Sequence, residues 1–129
     1  MLAAMNSTER AQSVNLLTAE LLNFINGCEK ISRDHQLAHF PNVAAMTSIC
    51  MQATAGDRFI RIARAEYQRP IEAHSKPTCR SAHCFIDRTN GDVLKAAGWS
   101  KPAKGARGNI FNADNGLTRM GEYGAAYNR

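Results

Sequence analysis

The first long pattern in the chain is an apolar stripe at helical spacing. Over residues 7–25 the stripe contains Val14, Leu17, Leu21 and Phe24, and it is widened by Leu22 and Ile25. Asn6 and Glu9 are three positions apart, as in a capping box that opens a helix. Gly27 follows as a C-terminal stop. The pattern therefore predicts a helix of about five turns.

A second helix is predicted over residues 43–54. Asn42 is a suitable N-cap, the stripe consists of Val43, Met46 and either Ile49 or Cys50, and Gly56 follows the end. The intervening residues 29–40 are polar and mixed, and they fit a short helix. The first 56 residues thus form a helical half.

Residues 58–67 fit two structures. A strand would place Ile60 and Ile62 on one face, whereas a helix would align Arg58, Arg61 and Arg64. We favour the strand, because an isolated hairpin further along the chain needs a third strand for stability. Residues 68–80 contain Pro70 and Pro77 and little apolar content, which predicts a long loop.

That hairpin spans residues 81–97 and turns at Asn90-Gly91, a strong hairpin signal. A strict two-residue turn would mix apolar and charged residues on each face. A three-residue turn with Gly91 as a bulge pairs Arg88 with Asp92 and Ile86 with Leu94. This preferred register puts four side chains on one face for packing against the helices, namely Cys84, Ile86, Leu94 and Ala96.

The predicted fold class is α+β, with a single domain over residues 1–129. Two N-terminal helices pack on a small antiparallel sheet made of the hairpin 81–97 and a strand at 58–67. Residues 57–129 hold this sheet, a basic loop and an irregular C-terminal tail.

Composition and charge favour anionic partners. The 129 residues include 16 Lys and Arg against 11 Asp and Glu, a formal net charge of +5. The N-terminus has neither the positive nor the apolar region of a secretory signal, and no apolar run reaches membrane-span length. We therefore expect a protein of a reducing cytosol, without membrane contact and with its four cysteines as thiols.

A basic segment after the hairpin holds the candidate nucleic-acid-binding residues. Pro102, Gly105 and Gly108 disfavour a helix there and predict a loop. The loop lacks the phosphate-binding motifs of nucleotide sites. A tryptophan among its cations is suited to stacking on an unpaired base. Weak and sequence-neutral binding is expected, because few cations neutralise few phosphates and no recognition helix is visible. The candidates are Lys95, Trp99, Lys101, Lys104 and Arg107. Arg58, Arg61, Arg64 and Arg80 extend this surface if the strand at 58–67 lies beside the hairpin.

The sequence contains few signals for metal binding or catalysis. His74, Cys79, His83 and Cys84 are zinc-ligand types, but their spacing matches no common finger. His35 and His39 lack the glutamate of a zinc protease. No nucleophile motif or carboxylate pair is present, so we predict no catalytic residues, no metal and no cofactor.

The run from Gly91 to Ile110, GDVLKAAGWSKPAKGARGNI, resembles a segment of small uncharacterised proteins encoded by tailed bacteriophages. The resemblance covers about residues 81–129. It implies a phage-type origin and action in the cytoplasm of an infected bacterial cell. Two functions fit: an accessory protein that binds nucleic acid non-specifically, or a non-enzymatic protein that binds a host or virion protein. The sequence specifies no oligomeric state.

Overall fold

The computed structural model describes residues 14–126. A long helix is followed by a short one and then by seven strands. In chain order these are α1 (Ala19–His39), α2 (Pro41–Met46), β1 (Thr47–Ala55), β2 (Phe59–Gln68), β3 (Cys79–Asp87), β4 (Asp92–Ala96), β5 (Pro102–Asn109), β6 (Met120–Gly121) and β7 (Gly124–Ala125).

The main sheet is an antiparallel meander in the order β1-β2-β3-β4-β5, and β6 and β7 pair as a separate hairpin. The α+β class is therefore confirmed. The predicted sheet was too small, because it lacked β1 and β5. The predicted pair of N-terminal helices is also wrong in its second member, which has six residues.

Helix α1 packs one face on the sheet. Its buried residues recur every three or four positions: Leu21, Phe24, Cys28, Ser32 and Gln36. The three apolar ones join a core with the inward residues of the strands, including Ile49, Ile60, Ile62, Ile86 and Val93. We call the sheet side that contacts α1 the inner face.

The predicted bounds of the first helix are wrong at both ends. Residues 14–18 are not helical, and Leu17 is 85% exposed. Gly27 does not end the helix, which continues to His39. A Cβ at this position would collide with the Leu117 side chain. The glycine thus allows the tail to approach α1 closely. The predicted capping box, Asn6 and Glu9, lies outside the described residues.

The second predicted helix ends early, and a strand replaces its remainder. Ile49 and Met51 are buried with exposed or half-buried neighbours, which is the period of a strand. Helix α1 also protects the free edge of β1: Arg33 Nε donates to the Ile49 carbonyl at 2.9 Å, and the Met51 amide donates to Glu29 Oε1 at 2.8 Å. These bonds occupy backbone groups that an edge strand otherwise presents to other chains.

The strand predicted at residues 58–67 is confirmed as β2, which pairs with both β1 and β3. The predicted loop is confirmed for residues 69–78, and β3 begins at Cys79. The β2–β3 ladder shifts register between Ile62 and Ala63, where His83 is the additional residue on β3.

The β3–β4 hairpin is confirmed, but both considered registers are wrong. Ile86 pairs with Val93 and Phe85 with Leu94. The turn is longer than predicted, with the Gly91 amide bonded to the Asp87 carbonyl at 2.7 Å. A slip of one residue exchanges the faces of a strand. Leu94 and Ala96 are consequently turned away from α1, whereas Cys84 and Ile86 face it as predicted.

The basic segment is also a strand rather than a loop. Pro102 is the first residue of β5, and Gly105 takes a φ of 90° where the β4–β5 register is irregular. Both features are tolerated on an edge strand. The tail, predicted to be irregular, contains the β6–β7 hairpin among turns.

Candidate nucleic-acid interface on the outer face

The sheet side opposite α1, which we call the outer face, includes Phe59, Arg61, Phe85 and Leu94. Arg61 is directly opposite Phe85 on the neighbouring strand, and Phe85 is opposite Leu94 on the next. Directly opposed residues share a face, so the three strands present these side chains together. Phe59 and Phe85 meet edge to face, with ring centroids 6.4 Å apart.

Trp99 lies over this face in the loop that joins β4 and β5. The Arg61 guanidinium carbon is 4.1 Å from the centroid of the indole ring, and that of Arg80 is 5.0 Å away. Arg61 Nη1 also donates to the Trp99 carbonyl at 3.5 Å. Trp99 keeps 41% of its surface exposed, so part of this stack of aromatic and guanidinium planes is open to solvent.

Backbone hydrogen bonds close the loop that carries the tryptophan. The amides of Ala97 and Gly98 both donate to the Lys101 carbonyl, at 2.8 and 3.2 Å. Lys101 and Lys104 are exposed, and Lys104 lines a groove of about 430 Å³ together with Arg58 and Phe59. Three of the five predicted residues, Trp99, Lys101 and Lys104, are therefore exposed in the β4–β5 segment.

The other two predicted residues, Lys95 and Arg107, contact the tail. Lys95 pairs with Cys84 on the inner face, and its Nζ donates to the Ala125 carbonyl at 2.9 Å. Arg107 is only 7% exposed, and its guanidinium donates to three backbone carbonyls, those of Lys104, Gly105 and Ala126. Both side chains thus link strands to the C-terminal segment.

Three of the four arginines that were expected to extend the positive surface lie at the outer face. Arg61 and Arg80 contact Trp99, and Arg58 lies over the Phe59 ring at 5.3 Å. Arg64 is on the inner face, where it is paired with Glu66 and lies 5.5 Å from the Tyr123 ring centroid. Phe59 and Phe85 were not predicted as site residues. Each directly precedes an inner-face isoleucine, Ile60 or Ile86, and the alternation of side chains along a strand was a usable signal for the opposite face.

Asp87 supplies negative charge at the end of this face. Its carboxylate accepts hydrogen bonds from Thr89 and from Arg58 Nη2, the latter at 3.3 Å. Burial raises the pKa of Asp87, but the bonds from Thr89 and Arg58 outweigh this effect and lower the pKa below its ordinary value. Asp87 is therefore an anion at neutral pH.

The described side chains do not assemble a metal centre. No three His, Cys, Asp or Glu side chains within residues 14–126 are close enough to hold an ion. His35 and His39 stack with ring centroids 4.4 Å apart, next to Tyr123. All four cysteines are free, and burial raises the pKa of Cys28 to about 12.

Neither helix in residues 14–126 has the length and apolarity needed to cross a membrane. No curated protein and no solved structure shows significant similarity to the chain. One family model matches it over residues 5–126, nearly the full length. The chain therefore belongs to the Family of unknown function (DUF7717).

Proposed function

We propose that the protein binds single-stranded nucleic acid, weakly and largely independently of sequence, on its outer face. The observation that carries the proposal is the half-open stack of Trp99 with Arg61 and Arg80. Aromatic rings and guanidinium planes are the two surfaces on which unpaired bases stack. Duplex bases are already stacked on one another, so a single strand is the better ligand.

The surrounding charge supports binding of a phosphate backbone. Five cations border the outer face, namely Arg58, Arg61, Arg80, Lys101 and Lys104, and the nearby acids are Asp57, Asp87 and Asp92. Asp87 is already neutralised in part by Arg58. A small excess of positive charge gives weak binding that decreases steeply with salt.

Trp99 also provides the first test, because it is the only tryptophan in the chain. Oligo(dT), oligo(rU) and a duplex are titrated at about 50 and 200 mM salt while intrinsic fluorescence and probe anisotropy are recorded. Single strands should quench Trp99 emission and bind more tightly than duplex. Lys101→Ala/Lys104→Ala should reduce the salt slope by about 1.4, since two phosphate contacts are lost.

Lys30→Ala/Lys76→Ala is the matched control. It removes two exposed positive charges from residues that neither contact Trp99 nor line the groove of about 430 Å³, and it should leave the salt slope unchanged. Trp99→Ala should weaken single-strand binding roughly tenfold, because stacking on one base is lost. Absence of binding at low salt, or equal losses in the control variant, would refute the proposal.

The biological setting in this proposal is a phage-type accessory protein that acts in the cytoplasm of an infected bacterial cell. Its support is the resemblance of residues 81–129 to proteins of tailed bacteriophages. A single-strand binder suits that setting, because genome replication and transcription both produce unpaired strands.

An apolar surface favours the second candidate function, binding of a host or virion protein. Around the junction of α1 and α2 four apolar side chains are 46–64% exposed: Leu37, Phe40, Val43 and Met46. Grouped exposed apolar residues are typical of protein interfaces. A pull-down from host lysate should then recover one stoichiometric protein and lose it with Val43→Ser/Met46→Ser, while Lys101→Ala/Lys104→Ala has no effect.

A further inference from the structure

The groove of about 430 Å³ on the outer face lies between the start of β2 and strand β5. We call it the β2–β5 groove. Phe59 contributes an aromatic ring supported by Phe85, and the lining from β5 is of small residues, Pro102, Ala103, Gly105 and Ala106. Leu94 also lines the groove. Its volume is within the usual range of small-molecule sites, and its composition suits a flat, apolar ring.

Polar groups lie in the same groove at fixed positions. Asp87, Asn90 and Asp92 come from the β3–β4 turn, and Arg58 and Lys104 supply positive charge. Asp92 is held in place, because its amide donates to Asn90 Oδ1 at 2.8 Å and its Oδ1 accepts from Asn109 Nδ2 at 3.0 Å. A carboxylate with a defined orientation therefore accompanies the aromatic ring.

We infer that the β2–β5 groove receives one base of the bound strand and prefers bases that carry an exocyclic amino group. This inference rests on the proposed function and adds a modest base preference to it. Cytosine, adenine and guanine present amino donors, which a carboxylate accepts. Thymine and uracil lack the exocyclic amino group, and their ring N3–H donor lies between two carbonyl oxygens that the Asp92 carboxylate repels.

The remaining contacts orient the ligand. The base stacks on Phe59 beside Arg58, whose guanidinium lies over the same ring and whose side chain is 65% exposed. Arg58 and the exposed Lys104 contact the neighbouring phosphates. Asp87 is engaged by Thr89 and Arg58, so it fixes the position of Arg58. Asp92 is the group that distinguishes one base from another.

The test compares oligo(dC) with oligo(dT), each about 15 nucleotides long, by anisotropy at about pH 7.5 and low salt. We expect oligo(dC) to bind roughly tenfold more tightly. Asp92→Asn keeps an oxygen for the Asn109 bond but replaces the second acceptor with a donor. The ratio of the two affinities should then approach one. Phe59→Leu should weaken the binding of both oligonucleotides by a similar factor, and circular dichroism checks that the variant is folded.

Asp57→Asn is the control for charge. It removes one negative charge from the exposed β1–β2 turn, as Asp92→Asn does from the groove. It should therefore strengthen the binding of both oligonucleotides and keep the ratio of their affinities. Equal binding of the two strands by the native protein would overturn the inference and leave the proposed function standing, whereas no binding of either strand would overturn both. Tighter binding of cytidine 5′-monophosphate than of oligo(dC) would assign the groove to free nucleotides and also overturn the inference.

Discussion

Between pH 7 and pH 4.5 the protein is expected to lose about 2–3 kcal/mol of its unfolding free energy through His83 alone. His83 is the additional residue on β3 where the β2–β3 ladder shifts register, and it is 2% exposed. Neither of its ring nitrogens makes a hydrogen bond to any atom of residues 14–126. The imidazole is therefore held in a site that suits only its neutral form.

The sign of the effect follows from the pKa. Burial is the largest cause that lowers the pKa of His83 from 6.5 to about 4, and the positive charges of Arg64 and Lys95 lower it further. As the pH falls below 6.5 the unfolded chain takes up a proton at this residue, but the folded chain does so only near pH 4. The stability contributed by neutral His83 is thus complete above pH 6.5 and is lost between 6.5 and 4.

Urea unfolding of the native protein and of His83→Leu, measured across this pH range, isolates the contribution of His83 to the pH dependence of stability. The variant should match or exceed the native stability at pH 7, because an apolar side chain leaves no unpaired ring nitrogens. On acidification its unfolding free energy should fall by about 2–3 kcal/mol less than that of the native protein. His74→Leu, at an exposed loop position, should follow the native curve. Parallel curves for the native protein and His83→Leu would disprove the prediction.

The sequence identified strong local patterns correctly and failed where distant residues decide. Leu21 and Phe24 were recognised as the buried stripe of a helix, because three- and four-residue spacing is a local property. The helix end predicted at Gly27 was wrong, because this glycine makes room for Leu117, ninety positions later, and the helix continues to His39. Glycine is a stop signal only in the absence of such a packing requirement.

Residues 43–54 show how two periods overlap. Val43, Met46 and Cys50 have helical spacing, while Ile49 and Met51 alternate as in a strand. Pairing with β2 favours the strand, and so do two hydrogen bonds at the free edge of β1, one donated by Arg33 and one accepted by Glu29. Tertiary pairing commonly overrides local preference in short segments.

The candidate interface was only partly predictable, because some of its contacts also depend on tertiary pairing. Trp99, Lys101 and Lys104 were named as candidates because cations cluster beside a tryptophan after the hairpin, and the structure leaves all three exposed. Lys95 and Arg107 differ from them by a distant contact, because Lys95 donates to the carbonyl of residue 125 and Arg107 donates to that of residue 126. The contacts of Arg61 and Arg80 with Trp99 depend on the register across β2 and β3 and on the bulge at His83.

The second large effect is expected for Gly124→Ala, which should reduce the unfolding free energy by about 2–4 kcal/mol. Gly124 has a φ of 129°, a conformation that costs an alanine roughly 1–3 kcal/mol. Its position is also crowded, because an added Cβ would lie 2.5 Å from the His83 carbonyl oxygen. A backbone atom in the sheet cannot move aside as a flexible side chain would.

The β6–β7 hairpin therefore has to shift away from β3 in this variant. That hairpin contributes Met120 and Ala125 to the core, and the Ala125 carbonyl accepts from Lys95. The Ser32 hydroxyl of α1 donates to the Glu122 carbonyl at 2.7 Å, so a displaced hairpin also loses a link to the helix. The loss of these contacts adds to the strain of the alanine itself.

Gly121→Ala is the matched control in the same hairpin, because the nearest atom to its added Cβ is 3.7 Å away. Gly98→Ala, with no atom within 4 Å of the added Cβ, is a second. Both should stay within about 0.5 kcal/mol of the native protein in thermal and urea unfolding. In Gly124→Ala, hydrogen exchange should accelerate first at the amides of β6 and β7, because their anchor to the His83 segment is lost. Equal stability of Gly124→Ala and Gly121→Ala would contradict the close packing of β7 on β3.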